Sequence, residues 1–141
     1  MRLQESIDIA APPEQVSQLF QDWARWPSIY PTIRGTSLVG VEDGQVVIDV
    51  DHVEGHVRNT LQQLSPTDVL LREDKHTYRA TFENRFAPDG VGTRYTVTGD
   101  IHLRGLRRLV GPLIHPRIRR MMRRYQLEPL KQVAEGAVRE R

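Results

Sequence analysis

Eight polar side chains fall where their spacing can aim them at an enclosed ligand: Tyr30, His52, Arg58, Asn59, Tyr78, Asn84, Tyr95 and Tyr125. A guanidinium can polarise a carbonyl, and a phenol can give or take a proton. Tyr30 with Arg58 is therefore the candidate catalytic pair. The plainer reading is that the tyrosines pack with their hydroxyls at a rim and that Arg58 is solvated on an outer face. The strand around Arg58 does not decide between these readings. Val57 and Leu61 favour one inward face, which would take Asn59 with them and turn Arg58 out, whereas Leu64 favours the other. His52, Glu54 and His56 also alternate, just after Asp49 and Asp51. They share a face only if the strand runs unbroken through Gly55, and glycine inside a strand pattern marks a turn or bulge. No metal site is assigned, and no cofactor is implied.

The second chemical signal is charge. Residues 1–100 hold 9 Lys/Arg against 15 Asp/Glu, and residues 101–141 hold 11 against 3. No acid occurs between Asp100 and Glu128. Arg117, Arg119, Arg120, Arg123 and Arg124 surround an apolar stripe of Ile118, Met121, Met122 and Tyr125, whose spacings of three and four predict an amphipathic helix. Such a basic helix fits an anionic partner, or docking against an acidic body. An anionic membrane is the first candidate partner. A reading as an RNA- or ribosome-associated protein is weaker, because the basic face lacks the aromatic platforms that stack on bases.

These side chains need elements to position them. Leu3, Ile7 and Ile9 alternate with polar residues, predicting a strand. Ala11-Pro12-Pro13-Glu14 then presets a helix start, with Val16, Leu19, Phe20 and Trp23 at helical spacing. Trp26-Pro27 and Tyr30-Pro31 are expected to end the helical region, since a residue before proline is pushed from the helical well. Val39 and Val41, the turn Glu42-Asp43-Gly44, and Val46, Ile48 and Val50 predict a hairpin. Further strands are expected about 56–64, 69–74, from Tyr78 through Ala80, Phe82 and Phe86, and from Tyr95 and Val97 through Ile101 and Leu103. His115-Pro116 places a proline where the last, long helix can begin. The order is strand, helices, six strands, long helix. A sheet with one apolar face needs a cover, and that helix is the element long enough to supply it.

The 141 residues are expected to form a single domain, large enough to bury roughly two-thirds of the surface the unfolded chain exposes. With no cysteine, a disulfide frame, a thiolate metal site and a cysteine nucleophile are excluded. The first residues lack an apolar signal core, and the expected location is the cytoplasm.

The segment Ser6 to Pro27, S-I-D-I-A-A-P-P-E-Q-V-S-Q-L-F-Q-D-W-A-R-W-P, resembles the opening of the START-like (SRPBCC) superfamily, in its polyketide cyclase/dehydrase and coenzyme Q-binding branches. The aspartate-glycine hairpin, the strand closed by Ser65-Pro66, the G-x-G-T-R turn at Gly90 to Arg94 and the L-x-x-L-K-x-x-x-E ending at Leu127 to Glu135 are similar too. The resemblance implies an α+β helix-grip fold, a curved antiparallel sheet of six to seven strands wrapped around a long C-terminal helix. It also implies a deep cavity for a small hydrophobic or aromatic molecule. The walls would come from Trp26, Tyr30, Ile48, Val50, Asn59 and Leu61, from Tyr78, Phe82, Tyr95 and Val97, and from Ile118, Met121, Met122 and Tyr125. The activity it suggests is aldol cyclisation and dehydration. A lipid or quinone carrier docking through the arginine face is the alternative. Where the family's aromatic cyclases carry an arginine near the end of the fourth strand, this chain has Gln63, Leu64 and Ser65.

Overall fold

Asp43 and Gly44 both adopt positive φ, 51° and 75°, the backbone of the two-residue turn that matches strand twist. They join β2 (Ile33–Glu42) to β3 (Gln45–His52), and the pairing continues through β4 (Gly55–Ser65), β5 (Asp68–Lys75), β6 (Tyr78–Asp89) and β7 (Gly92–Leu103). The computed structural model describes residues 1–140. β1 (Arg2–Ile9) closes the sheet beside β7, giving seven antiparallel strands in the order β1-β7-β6-β5-β4-β3-β2. The six-strand meander expected after the first helices is present, with ends within a few residues of the sequence reading.

Between β1 and β2 lie α1 (Pro13–Gln21), a 3₁₀ turn (Trp23–Arg25) and a short α2 (Trp26–Ile29). Tyr30 is extended, as its place before Pro31 requires. Trp26 is not: it takes helical angles and begins α2, with Pro27 in the first turn, where no N–H is needed. The burial of Trp26, whose indole N–H donates to the Phe20 carbonyl at 2.8 Å, outweighs the local preference.

After β7 a 3₁₀ segment (Gly105–Val110) leads into α3 (Gly111–Met122), a π-helical turn (Arg123–Leu127) and α4 (Glu128–Arg139), which run on without a break. This helix starts at Gly111-Pro112 rather than at His115-Pro116, so Pro116 lies inside it. The π turn precedes Pro129, which has no N–H to give and whose ring would crowd the preceding turn. The Glu128 N–H reaches back five residues to the Arg123 carbonyl, and the widened turn makes room.

The long helix lies along the free edge of β1, where even-numbered residues point their backbone groups away from β7. His115 Nε2 meets the Arg2 carbonyl at 3.0 Å, Arg123 donates to the Ser6 carbonyl at 2.8 Å, and Lys131 donates to the Asp8 carbonyl at 2.8 Å. The Ala10 N–H donates to Glu135 at 2.8 Å. Helix residues one turn apart sit on neighbouring positions, so the row winds slowly round the helix as it follows the strand, and it takes up part of an edge that would otherwise invite pairing. Burial opposes ionisation of Glu135, but the bonds from Ala10 and Lys131 outweigh it and hold the carboxyl below its usual range.

The inward residues of the sheet and the apolar stripe of the helix form one core. At the α1 end it is filled solidly: Phe86 stacks on Tyr95 with ring centres 4.6 Å apart, and Phe20 tilts against Phe86 at 5.7 Å. Gly99 lets Phe82 lie flat across β7, since a Cβ there would stand 2.9 Å from two of its ring carbons.

A cavity between sheet and C-terminal helix

Away from that aromatic plug the concave face of the sheet stands off from the helix, and the space between them is about 490 Å³. This volume suits a small organic molecule. The roof is Ile118, Met121, Met122, Tyr125 and Gln126, the last two presented by the π turn. Trp26, Tyr30, Ile33, Val53 and Leu103 complete its walls.

The cavity floor carries a polar patch. Asn59 on β4 stands directly across from Glu73 on β5, and both line the cavity. Asn59 is only 3% exposed, yet neither polar atom of its carboxamide is sealed from solvent without a partner, so the group looks into the cavity. The Tyr78 hydroxyl donates to Glu73 Oε2 at 2.8 Å, leaving the other carboxyl oxygen open. Burial pushes the Glu73 pKa up, against smaller opposing effects from the Tyr78 bond and Lys75, so the acid stays neutral to higher pH than an exposed carboxyl does. Burial also raises Tyr30 and, together with the neighbouring Glu73, Tyr78, so both phenols stay protonated. Asn84, by contrast, is satisfied: it accepts from the Tyr95 hydroxyl at 2.5 Å and donates to the Phe82 carbonyl at 3.2 Å. An amide, a carboxylic acid and phenols facing apolar walls can hold a carbonyl or hydroxyl group and exchange a proton with it.

His52 sits at the rim. Burial lowers its pKa, with a smaller opposing contribution from Glu54, and its Nδ1 accepts the Glu54 N–H at 3.2 Å. That leaves Nε2–H as the donor of the neutral ring. The chain turns at Val53 and Glu54 between β3 and β4, with Gly55 at φ 119°, so His52, Glu54 and His56 do not alternate along one strand.

Arg58 does not reach the cavity. Val50 pairs with Val57 across the β3–β4 hairpin, which turns Val57, Asn59 and Leu61 inward and Arg58 out. Its guanidinium is exposed and pairs with Asp49 at 3.2 Å. The Tyr30–Arg58 pair is therefore not assembled, and Leu64 is exposed rather than inward. Of the expected lining residues, Trp26, Tyr30, Val50, Asn59, Tyr78, Phe82, Ile118, Met121, Met122 and Tyr125 are brought together around the cavity. Ile48, Leu61, Tyr95 and Val97 point inward but are buried in the solid core instead. Glu73 escaped the sequence reading, although its signal was present: Val69, Leu71 and Glu73 have the same parity on β5, and the first two are buried.

The arginines divide by helix face. Arg119 and Arg123 both reach Glu5 on β1, at 2.8 and 3.4 Å, and are held by the body of the protein. Arg117, Arg120 and Arg124 lie on the outer face and are exposed. Among the described residues no helix is long and apolar enough to cross a membrane.

No curated protein sequence matches the chain. Solved structures similar to it include the Zhui aromatase/cyclase from Streptomyces sp. R1128, with a TM-score of 0.75 at 18% identity over 98% of this chain and 95% of that one. A START superfamily protein from Mycobacterium smegmatis superposes with a TM-score of 0.68 at 17% identity, covering 99% and 97% of the two chains. The di-domain aromatase/cyclase StfQ of the steffimycin biosynthetic pathway gives 0.76 at 13% identity, and 97% of this chain spans 51% of that one. At such identities these likenesses establish the helix-grip fold. Residues 1–135 match the family described as "Polyketide cyclase / dehydrase and lipid transport", and the chain belongs to that family.

Proposed function

We propose that the protein binds a small, largely apolar molecule carrying one carbonyl or hydroxyl group, with that group seated against Asn59 and Glu73. The observation that carries this reading is the Asn59 carboxamide facing the cavity directly across from the Glu73 acid, among otherwise apolar walls. A ligand carbonyl accepting from Asn59 Nδ2 would gain about 0.5–1.5 kcal/mol net over the cavity water it replaces. Membership of a cyclase, dehydrase and lipid-transport family supports an apolar cargo.

A catalytic reading is favoured by one further observation, the raised pKa of Glu73 beside Tyr78. A neutral carboxylic acid can protonate a carbonyl oxygen as an enol carbon of the same molecule attacks it, its carboxylate then taking up the enol's hydroxyl proton. The acid can next protonate the new hydroxyl, which leaves as water, while the carboxylate takes the proton from the neighbouring carbon. In this reading Glu73 takes the role that sequence spacing suggested for Tyr30 with Arg58.

Native followed by denaturing mass spectrometry of protein purified from its host tests the binding reading. We expect a stoichiometric apolar molecule in the wild type and up to about a tenfold lower occupancy in Asn59→Leu, the loss of one buried hydrogen bond. Equal occupancy in both proteins would refute the role of Asn59. Conversion of the extracted molecule by wild type but not by Glu73→Gln would establish the catalytic reading.

A further inference from the structure

We infer that Gly105 to Arg120 is a docking surface for an anionic lipid bilayer, with leucines that enter the interface and arginines that bind its phosphates. Leu106, Leu109 and Leu113 are 84%, 71% and 81% exposed, far beyond what a solvated helix needs. Leu106 and Leu109 are three apart in a 3₁₀ segment, where residues at that spacing eclipse one another. Leu113 continues the row one α-turn later. From Leu113 the outer stripe passes through Arg117, Arg120 and Arg124 at spacings of four, three and four, all exposed. The stripe facing β1, with His115, Arg119 and Arg123, is engaged by the sheet edge.

Arg107, Arg108, Arg117 and Arg120 have no carboxylate partner among the described residues, and Arg104 is the neighbour that does, pairing with Asp74 at 3.0 Å. An apolar tip flanked by unneutralised arginines matches the depth profile of a bilayer surface, hydrocarbon below and phosphate above. A second copy of this chain fits poorly, because a two-fold interface would set each arginine cluster against itself. RNA would leave the leucines unused, and the surface offers no aromatic platform. The segment also follows Leu103 and leads into Ile118 and Met121, which line the cavity, so a docked bilayer would lie beside the cavity.

Co-sedimentation with vesicles made of equal parts phosphatidylglycerol and phosphatidylcholine tests the assignment. It uses no cavity ligand, so it stands or falls independently of the binding reading above. We expect wild-type protein to sediment with these vesicles, less so with pure phosphatidylcholine, and progressively less as salt is raised. Leu106→Ser/Leu109→Ser/Leu113→Ser should weaken partitioning more than about tenfold, and each of Arg107→Gln, Arg108→Gln, Arg117→Gln and Arg120→Gln by roughly fivefold. All these side chains are exposed, so the melting temperatures should match the wild type. Failure of the wild type to sediment with anionic vesicles at low salt would overturn the inference. So would unchanged partitioning in the leucine variant, or a leucine variant whose only effect is to dissolve a dimer seen by light scattering. RNA binding lost with the arginines, in a protein that ignores vesicles, would overturn it as well.

Discussion

Replacing Tyr95 by Phe removes one oxygen, and with it the 2.5 Å bond to Asn84 Oδ1. Tyr95 is 2% exposed and Asn84 3%, so bulk water does not replace the lost donor. Leaving a buried acceptor unsatisfied costs about 1–3 kcal/mol, which centres Tyr95→Phe near ~2 kcal/mol. For a chain of this size that is roughly 6–8 °C in melting temperature. Asn84→Leu orphans the Tyr95 hydroxyl instead, and also gives up the donation to Phe82, for a similar loss. The double variant Asn84→Leu/Tyr95→Phe removes both partners, so its loss should fall at least about 1 kcal/mol short of the sum of the singles. Urea denaturation reads all three values from the midpoint, provided the slope is unchanged. Because Asn84 also lines the cavity, water inside it is the competing donor. A Tyr95→Phe loss under about 0.5 kcal/mol, or strict additivity in the double variant, would show that the pair is not isolated from water.

Two further outcomes follow from the cavity wall. The Glu73 pKa is raised on folding, so the folded state prefers the neutral acid and loses stability as pH rises. The loss begins at the ordinary carboxylate value, grows until pH passes the raised value, and then levels. The stability difference between Glu73→Gln and wild type should therefore grow with pH over that window in favour of the variant, and denaturation midpoints that show a flat or falling difference would contradict it. Gly99→Ala sets a methyl 2.9 Å from the Phe82 ring, which must tip into the cavity. The expected cost is about 1–3 kcal/mol, with reduced ligand occupancy by native mass spectrometry, and an unchanged midpoint would show that Phe82 moves freely.

Much of the architecture was legible because it is local. Alternation wrote the strands, Asp43-Gly44 wrote the first hairpin, and the spacing of Ile118, Met122 and Tyr125 wrote the inner stripe of the last helix. Where the reading slipped, a longer-range contact had overruled a local rule. Trp26 is helical before proline because its ring is buried, and the last helix runs through Pro116 from an earlier start.

Which inward side chains meet a ligand was decided by the tertiary structure. Ile48, Leu61, Tyr95 and Val97 have the same inward parity as Val50, Asn59 and Phe82, and nothing in the strand pattern separates the two groups. For Tyr95 the separation comes from Phe20 on α1, which packs against it and Phe86 at the filled end of the concave face. The same holds for charge. Composition announced a surplus of arginine, but Arg119 and Arg123 are drawn to Glu5, 114 and 118 residues away in sequence, while Arg117 and Arg120 on the next face are left to solvent. Periodicity determines which face of an element a residue occupies, because that depends on neighbours in the chain. What stands opposite that face depends on contacts between distant segments, and only folding brings those together.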